Sequence, residues 1–176
     1  MRRFLIGLAV LIGLLAIGTY LTPRMIHVER EIEAAAAPAK VYAIINGFKR
    51  FPEWSPWQEK DPGMQQTWSG PEAGVGASMS WKSDKADVGS GTQKIVAVKA
   101  NEEVLVEVDM VDMGQIKAFL RLQPTNGGQG TRIVWGADSD LGMNPVSRWM
   151  GFWIDDWVAA DYDKGLAKLK ALAEKP

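Results

Sequence analysis

The C-terminal stretch of the chain carries its most regular apolar pattern. From Val146 to Val158, apolar side chains recur at spacings of three and four residues, which is typical of one face of an α-helix. Asn144 suits the N-cap position, and Pro145 suits the first helical position, where its missing N–H costs nothing. No further proline occurs before Pro176, so the pattern predicts a single helix about 45 Å long. The tryptophans on this helix require a large apolar surface from the rest of the chain.

The middle of the chain alternates between apolar and polar positions. Residues 26–33 place isoleucine and valine on one face and His27 with three glutamates on the other, which predicts a half-buried strand. Six further apolar segments follow at short intervals, which favours antiparallel hairpins. These segments are Met64–Trp68, Ala77–Lys82, Thr92–Lys99, Val104–Met110, Gln115–Gln123 and Thr131–Asp138.

Two short helices are predicted between the first strand and the other six. Pro38 marks a helix start, and apolar residues at helical spacing continue from Val41 to Phe48. The next ten residues, 48–57, contain two prolines, which forbid a long regular helix and predict a short helix and a turn. The order of one strand, two short helices, six strands and one long helix predicts an α+β fold, with helices on one face of a curved antiparallel sheet.

An uncharged apolar run extends from Phe4 to Leu21. As a helix it spans roughly 27 Å, close to the about 30 Å of the hydrocarbon core of a bilayer. Arg2 and Arg3 precede it, and the positive-inside rule keeps that end in the cytoplasm. The end of the run offers no small-x-small cleavage site, which favours an uncleaved anchor over a signal peptide. We therefore predict a single membrane-spanning helix at residues 4–21.

This anchor divides the chain into two parts. Residues 1–24 are the predicted transmembrane anchor and linker, and residues 25–176 are a domain predicted to lie in the periplasm, tethered to the cell inner membrane. The second part has 17 basic and 21 acidic residues, a net charge of −4, which argues against a nucleic-acid partner. The chain has no cysteine, so disulfides and thiolate chemistry are excluded.

Four stretches of the sequence resemble a known superfamily. They contain the first strand with the Ala-Pro helix start and Trp-Ser-Pro-Trp, two hairpins, and the closing helix. The stretches are residues 28–57, 70–83, 131–142 and 148–174. Together they resemble the START/Bet v 1-like (SRPBCC) superfamily, in its bacterial polyketide cyclase/dehydrase and lipid-transport branch. The resemblance implies a helix-grip fold, in which a curved seven-stranded antiparallel sheet wraps around the long C-terminal helix and a cavity between them holds an apolar or amphipathic ligand.

The eight tryptophans are the unusual feature of the composition. Core filling accounts for about half of them, but tryptophan is large, carries an N–H and is seldom completely buried. Ligand pockets are lined mainly by apolar and aromatic side chains. The predicted lining residues are Trp54, Trp57, Trp68, Met79, Trp81, Trp135, Met150, Trp153 and Trp157. Among them Trp153 is predicted to contact the ligand, whereas Leu166 and Leu169 are predicted to pack only against protein.

Nothing in the sequence predicts a catalytic, metal-binding or cofactor-binding residue. His27, the only histidine, is predicted to be exposed, and one histidine without a surrounding cluster makes no zinc site. Asp155 and Asp156 are neighbours on a helix and do not face each other. With Asp161 and Asp163 they are predicted to form a solvated outer face.

These observations favour a membrane-tethered binding domain for an apolar or lipid-like small molecule, which carries, sequesters or senses that ligand without covalent chemistry. Two alternatives from other classes stay open. One is a cyclase/dehydrase-like enzyme acting on a polyketide-like substrate, and the other is a protein-interaction module with an aromatic groove. No sequence feature specifies an oligomeric state.

Overall fold

The computed structural model of the chain describes residues 6, 7, 13, 18, 23–111, 114–142 and 145–175, with the side chains of residues 145–147 and 150–156 excepted. Several predictions fall outside this description. They concern the Asn144 cap, the side chains of Met150, Trp153, Asp155 and Asp156, and most of the predicted anchor at residues 4–21. Among the residues that are described, no helix is long and apolar enough to cross a membrane.

Seven strands form one antiparallel sheet, which confirms the predicted fold class. They are β1 (Met25–Ala34), β2 (Gln65–Ser69), β3 (Ser78–Lys82), β4 (Ser90–Lys99), β5 (Glu103–Met110), β6 (Gly114–Thr125) and β7 (Gly130–Asp140). Their order in the sheet is β1-β7-β6-β5-β4-β3-β2, so the first strand pairs with the last and β2 forms the opposite edge. A β-bulge between Ile95 and Ala97 interrupts the register of β4, and such bulges bend a strand and increase its twist.

In the described ranges from residue 23 onwards, four α-helices accompany the sheet. They are α1 (Pro38–Ile45), α2 (Phe51–Trp54), α3 (Pro56–Lys60) and α4 (Pro145–Ala173). The long C-terminal helix is thus confirmed, with 29 residues and Pro145 at its start. Where a short helix and a turn were predicted for residues 48–57, the chain forms two short helices. Ser55 separates them in an extended conformation, because a residue that precedes a proline is disfavoured in the α region.

The core lies between the inner face of the sheet and the helices. Leu166 and Leu169 of α4 are fully buried, as predicted, and α1 adds Val41 and Ile44 to the same cluster. The outer face of the sheet is mostly charged, but Phe119 and Val134 are buried on it. Phe119 is buried there, because its ring covers Gly136 on the neighbouring strand and the Arg121 guanidinium lies 3.9 Å from the ring centroid.

Gly165 allows α4 to approach β7 closely. A methyl group at this position would lie 2.6 Å from Cζ3 of Trp135 and 3.1 Å from Cδ of Pro56. The Trp135 ring has little freedom to move away, because it stacks on Tyr162 with ring centroids 4.0 Å apart and planes 7° apart. The contact between helix and sheet therefore depends on the absence of a side chain at residue 165.

Gly165→Ala is expected to destabilise the domain by about 1–3 kcal/mol, because overpacking outweighs the gain of about 1 kcal/mol in helix propensity. Urea unfolding of the full chain in mild detergent measures the change. Lys164→Ala, at the exposed neighbouring position, is the control and should lie within about 0.5 kcal/mol of the parent. A stabilised Gly165→Ala protein would contradict the close packing described here.

Candidate functional site

The inner face of the sheet changes from sealed to half-open along three neighbouring strands, β5, β6 and β7. On β5, Val104 is fully buried, Val106 is buried and Val108 is half-buried. The same gradient runs along β6 through Leu122, Leu120, Ala118 and Ile116, and along β7 through Ile133, Trp135, Ala137 and Ser139. The half-open rows lie towards the end of the sheet at which β1 begins and β7 ends. A ligand between sheet and helix would therefore lie in this half.

An aromatic cluster fills the sealed half. Trp135 stacks on Tyr162 and makes edge contacts with Trp54 and Trp57, at centroid distances of 5.1 and 5.8 Å. Burial raises the pKa of the Tyr162 hydroxyl well above its usual range. Phe51 packs edge-on against Trp54 at 4.9 Å. Because these rings pack closely on one another, they close this end of the space between sheet and helices.

The half-open part of the inner face has a centre of short side chains. Ala118 of β6 pairs directly with Ala137 of β7, whereas the next pair towards the sealed half is Leu120 with Trp135. Two alanines side by side present less side-chain volume than Leu120 and Trp135 do in the neighbouring row. Towards the open end, Ile26, Val108 and Ile116 are half-buried, whereas Val28 and Val106, the direct strand neighbours of the two alanines, are buried.

Gln93 introduces one buried amide into this apolar surface. It lies on β4, opposite Val108 of β5 and Met79 of β3. Its Nε2 lies 3.9 Å from Sδ of Met79, and a thioether is only a weak acceptor. The amide can therefore exchange this contact for a stronger hydrogen bond with a polar group of a ligand. Gln93 was not predicted from the sequence. The available signal was its strand phase, because Gln93 lies two residues before the buried Ile95 and between the exposed Thr92 and Lys94.

The structure places the predicted lining residues in different environments. Trp54, Trp57 and Trp135 belong to the sealed aromatic cluster, whereas Met79 is fully buried on β3 and Trp81 is half-buried on the same strand. Trp157 is 65% exposed on α4. Met150 and Trp153 lie outside the described side chains. Contact of any of these residues with a ligand stays a prediction.

Trp68 lines a separate surface cleft of about 270 Å³ beside the edge strand β2. Its indole N–H donates to the carbonyl oxygen of Phe48 at 3.0 Å, and Nζ of Lys49 lies 5.8 Å from the ring centroid. Pro71 and Glu72 form part of the same cleft. This cleft lies at the surface and is lined by polar as well as apolar residues, so it is a candidate for surface recognition rather than for enclosure of a ligand.

The acidic residues of α4 differ from the prediction in one respect. Asp163 is exposed as predicted, but Asp161 is buried and its Oδ2 lies 2.5 Å from Nζ of Lys60 on α3. The ion pair accounts for the burial, because a carboxylate is tolerated inside a protein when it is paired. His27 is exposed as predicted and its Nδ1 lies 2.8 Å from Oδ1 of Asp138. Among the described residues, no group of three His, Cys, Asp or Glu side chains could hold a metal ion.

An ion pair fixes the start of β1 to the end of β7. Two nitrogens of the Arg24 guanidinium donate to the two carboxylate oxygens of Asp140, each at 2.6 Å. Arg24, together with the backbone N–H of Gly142, lowers the pKa of Asp140 to about 2. The Leu141 N–H also donates to the Arg24 carbonyl oxygen at 3.0 Å. The last residue of the predicted anchor and linker is thus held against the half-open end of the sheet.

This architecture, with a long helix packed across a curved seven-stranded antiparallel sheet, defines a Bet v 1-like helix-grip domain. Residues 25–174 match the family described as "Polyketide cyclase / dehydrase and lipid transport", and the chain belongs to this family. Membership in this SRPBCC family supports a ligand-binding domain. No curated protein matches the sequence significantly.

Solved structures share the fold over most of the chain. Norcoclaurine synthase from Thalictrum flavum is 13% identical with a TM-score of 0.64, covering 86% of this chain and 95% of that chain. The Zhui aromatase/cyclase from a Streptomyces species is 14% identical with a TM-score of 0.64, covering 85% and 94%. A Staphylococcus aureus protein of unknown function is 15% identical with a TM-score of 0.60, covering 85% and 95%. At these identities the likeness shows the fold alone.

Proposed function

We propose that this protein is a membrane-tethered binding domain for an apolar or lipid-like small molecule, which it carries, sequesters or senses without covalent chemistry. The gradient of burial on the inner face of the sheet is the observation that carries the proposal. The sealed aromatic half provides a rigid wall, and the half-open rows with paired alanines provide apolar surface for a ligand. A pocket with apolar walls and one well-placed polar group, here Gln93, is typical of small-molecule sites.

The tether is the second part of the proposal. The apolar run at residues 4–21 is long enough for a bilayer and follows two arginines, which supports a single-pass anchor in the cell inner membrane with the domain in the periplasm. Protease added to spheroplasts should then degrade residues 25–176 while a cytoplasmic marker stays intact. A domain that is protected from the protease would refute this orientation.

Ligand extraction provides the direct test of binding. The full chain is purified natively in mild detergent, its bound molecules are extracted, and mass spectrometry compares them with a mock purification. An apolar or amphipathic molecule at near-stoichiometric amount is expected. A fluorescent fatty-acid analogue, titrated into the delipidated protein, should compete with the extracted species. If neither molecule binds saturably, the result contradicts the proposed function.

A different function, recognition of a peptide, is favoured by the cleft beside β2. This strand forms an edge of the sheet, and the exposed Trp68 ring lies next to it with Lys49 and Glu72 nearby. An extended peptide can add to such an edge through backbone hydrogen bonds. Trp68→Ala separates the two functions, because it should weaken peptide capture and leave binding of the fatty-acid analogue unchanged. A cyclase-like enzyme remains the further alternative, supported by the description of the matched family and by the fold that the chain shares with a cyclase and a synthase.

A further inference from the structure

We propose that the end of the domain carrying Met25, Val111 and Trp149 lies against the lipid surface of the membrane, so that the half-open part of the inner face opens towards the bilayer. This orientation rests on the proposed N-terminal anchor. The orientation goes further than tethering. A tether alone limits the distance between a domain and the membrane, but it does not determine which end of the domain faces the membrane.

The length of the linker is the first argument. The apolar run ends at Leu21, and only Thr22, Pro23 and Arg24 precede β1. Three extended residues span at most about 10 Å. Arg24 is also held by its ion pair with Asp140, at the end of β7. The beginning of β1 and the end of β7 therefore lie within about one headgroup layer of the hydrocarbon core.

Exposed apolar side chains at the same end are the second argument. Met25, at the start of β1, is 57% exposed, and Val111, directly after β5, is 74% exposed. The Val111 N–H donates to the carbonyl oxygen of Ser90 at the start of β4, which places it at this end of the sheet. The neighbouring stretch 82–87 carries two lysines and two aspartates and adds no net charge. Large apolar side chains exposed together at one end mark an interaction surface for a protein or a membrane.

Trp149 extends this surface onto the first half of α4. Trp149 is 39% exposed. A methyl group placed on Gly18 would lie 3.7 Å from Cζ2 of the Trp149 ring. Gly18 is helical and lies three residues before the end of the apolar run. The indole of Trp149 is therefore near the level at which the predicted span leaves the hydrocarbon, where tryptophan is enriched in membrane proteins. We infer a lipid surface as the partner because the apolar run, Met25, Val111 and Trp149 converge on this one end.

The orientation has a consequence for ligand exchange. The half-open rows of the inner face, with Ile26, Val108 and Ile116, lie next to the same end of the sheet. A lipid-like molecule could then pass between bilayer and protein without crossing water. The sealed aromatic half faces away from the membrane.

Site-directed labelling of the full chain tests the orientation. The chain has no cysteine, so Val111→Cys and Val75→Cys each create a single labelling site. Val75 is the matched control, because it is also an exposed valine, at 56%, but lies in the loop between β2 and β3 at the other end of the sheet. Each variant is labelled with a small fluorophore and reconstituted into phosphatidylcholine vesicles that carry nitroxide-labelled headgroups. Met25→Cys provides a second site at the proposed surface should Val111→Cys fail to fold.

Quenching of the label at residue 111 is expected to exceed that at residue 75 by roughly threefold or more, since residues inserted at the interface lie within 5–10 Å of the headgroups. Equal quenching at both positions, or stronger quenching at residue 75, would overturn the orientation if the protein resists carbonate extraction. A protein that carbonate strips from the vesicles would instead refute the anchor, and the orientation would fall with it. The extraction step thus separates failure of the orientation from failure of the proposed function.

Discussion

Replacing Leu169 with alanine is expected to lower the free energy of unfolding by about 2–5 kcal/mol. Leu169 is fully buried on the second half of α4, in the core that this helix forms with the sheet and α1. The substitution removes three carbon atoms and leaves a cavity, because the backbone of a long helix packed on a sheet relaxes little. Urea unfolding of the full chain in mild detergent, followed by near-UV circular dichroism, measures the loss.

Leu172→Ala is the control for this prediction. Leu172 lies about one helical turn after Leu169 on α4, but it is only half-buried, at the margin of the same core. Its substitution should cost clearly less than that of Leu169, because less apolar area is returned to water and the space left is open to solvent. Equal losses for the two variants would show that burial along the second half of α4 is not graded as described.

The fold could be predicted from the sequence because its signals are local. Alternation of apolar and polar residues identifies strands such as β5, and an apolar stripe after Pro145 identifies α4. Each pattern is contained within one element. The division of residues 48–57 into α2 and α3 was harder to predict. The reason lies in Pro56, which disfavours the α conformation of Ser55 and so separates the two helices.

The role of the tryptophans could not be predicted, because it depends on contacts between distant segments. The strand phase of Trp135 correctly indicates an inward side chain, but only the stacked ring of Tyr162 and the close approach at Gly165 show that it fills the core. Asp161 illustrates the same limit for a charged residue. Its position on α4 suggested a solvated face, whereas Lys60, which is 101 residues earlier in the chain, makes its burial possible.

The centre of the candidate site could not be predicted from the sequence either. Ala118 lies in an alternating strand between Ile116 and Leu120, where it looks like an ordinary inward position. Its importance follows from the register of β6 and β7, which places Ala137 beside it. A row of short side chains on neighbouring strands is a property of several strands together, and no single stretch of sequence contains it.

The pair of alanines leads to the prediction with the largest expected effect on function. Ala118→Phe is expected to weaken binding of the fluorescent fatty-acid analogue by roughly tenfold or more, equivalent to about 1.4 kcal/mol for each factor of ten. The added ring would occupy the surface between Ala137 and Val106, the direct neighbours of Ala118 on β7 and β5. Because Ala118 is only half-buried, the ring can enter the half-open part with a cost in stability of about 1–3 kcal/mol.

Ala97→Phe is the matched control for this substitution. Ala97 is also a half-exposed strand alanine, but it pairs with Leu105 on the outer face of the sheet. The same added ring there should leave the affinity for the analogue unchanged, while unfolding curves establish that both variants are folded. If the two substitutions weaken binding equally, the loss arises from general perturbation of the sheet. If Ala118→Phe binds the analogue as tightly as the parent does, the ligand does not occupy the inner face, and the cleft lined by Trp68 becomes the better candidate for the binding site.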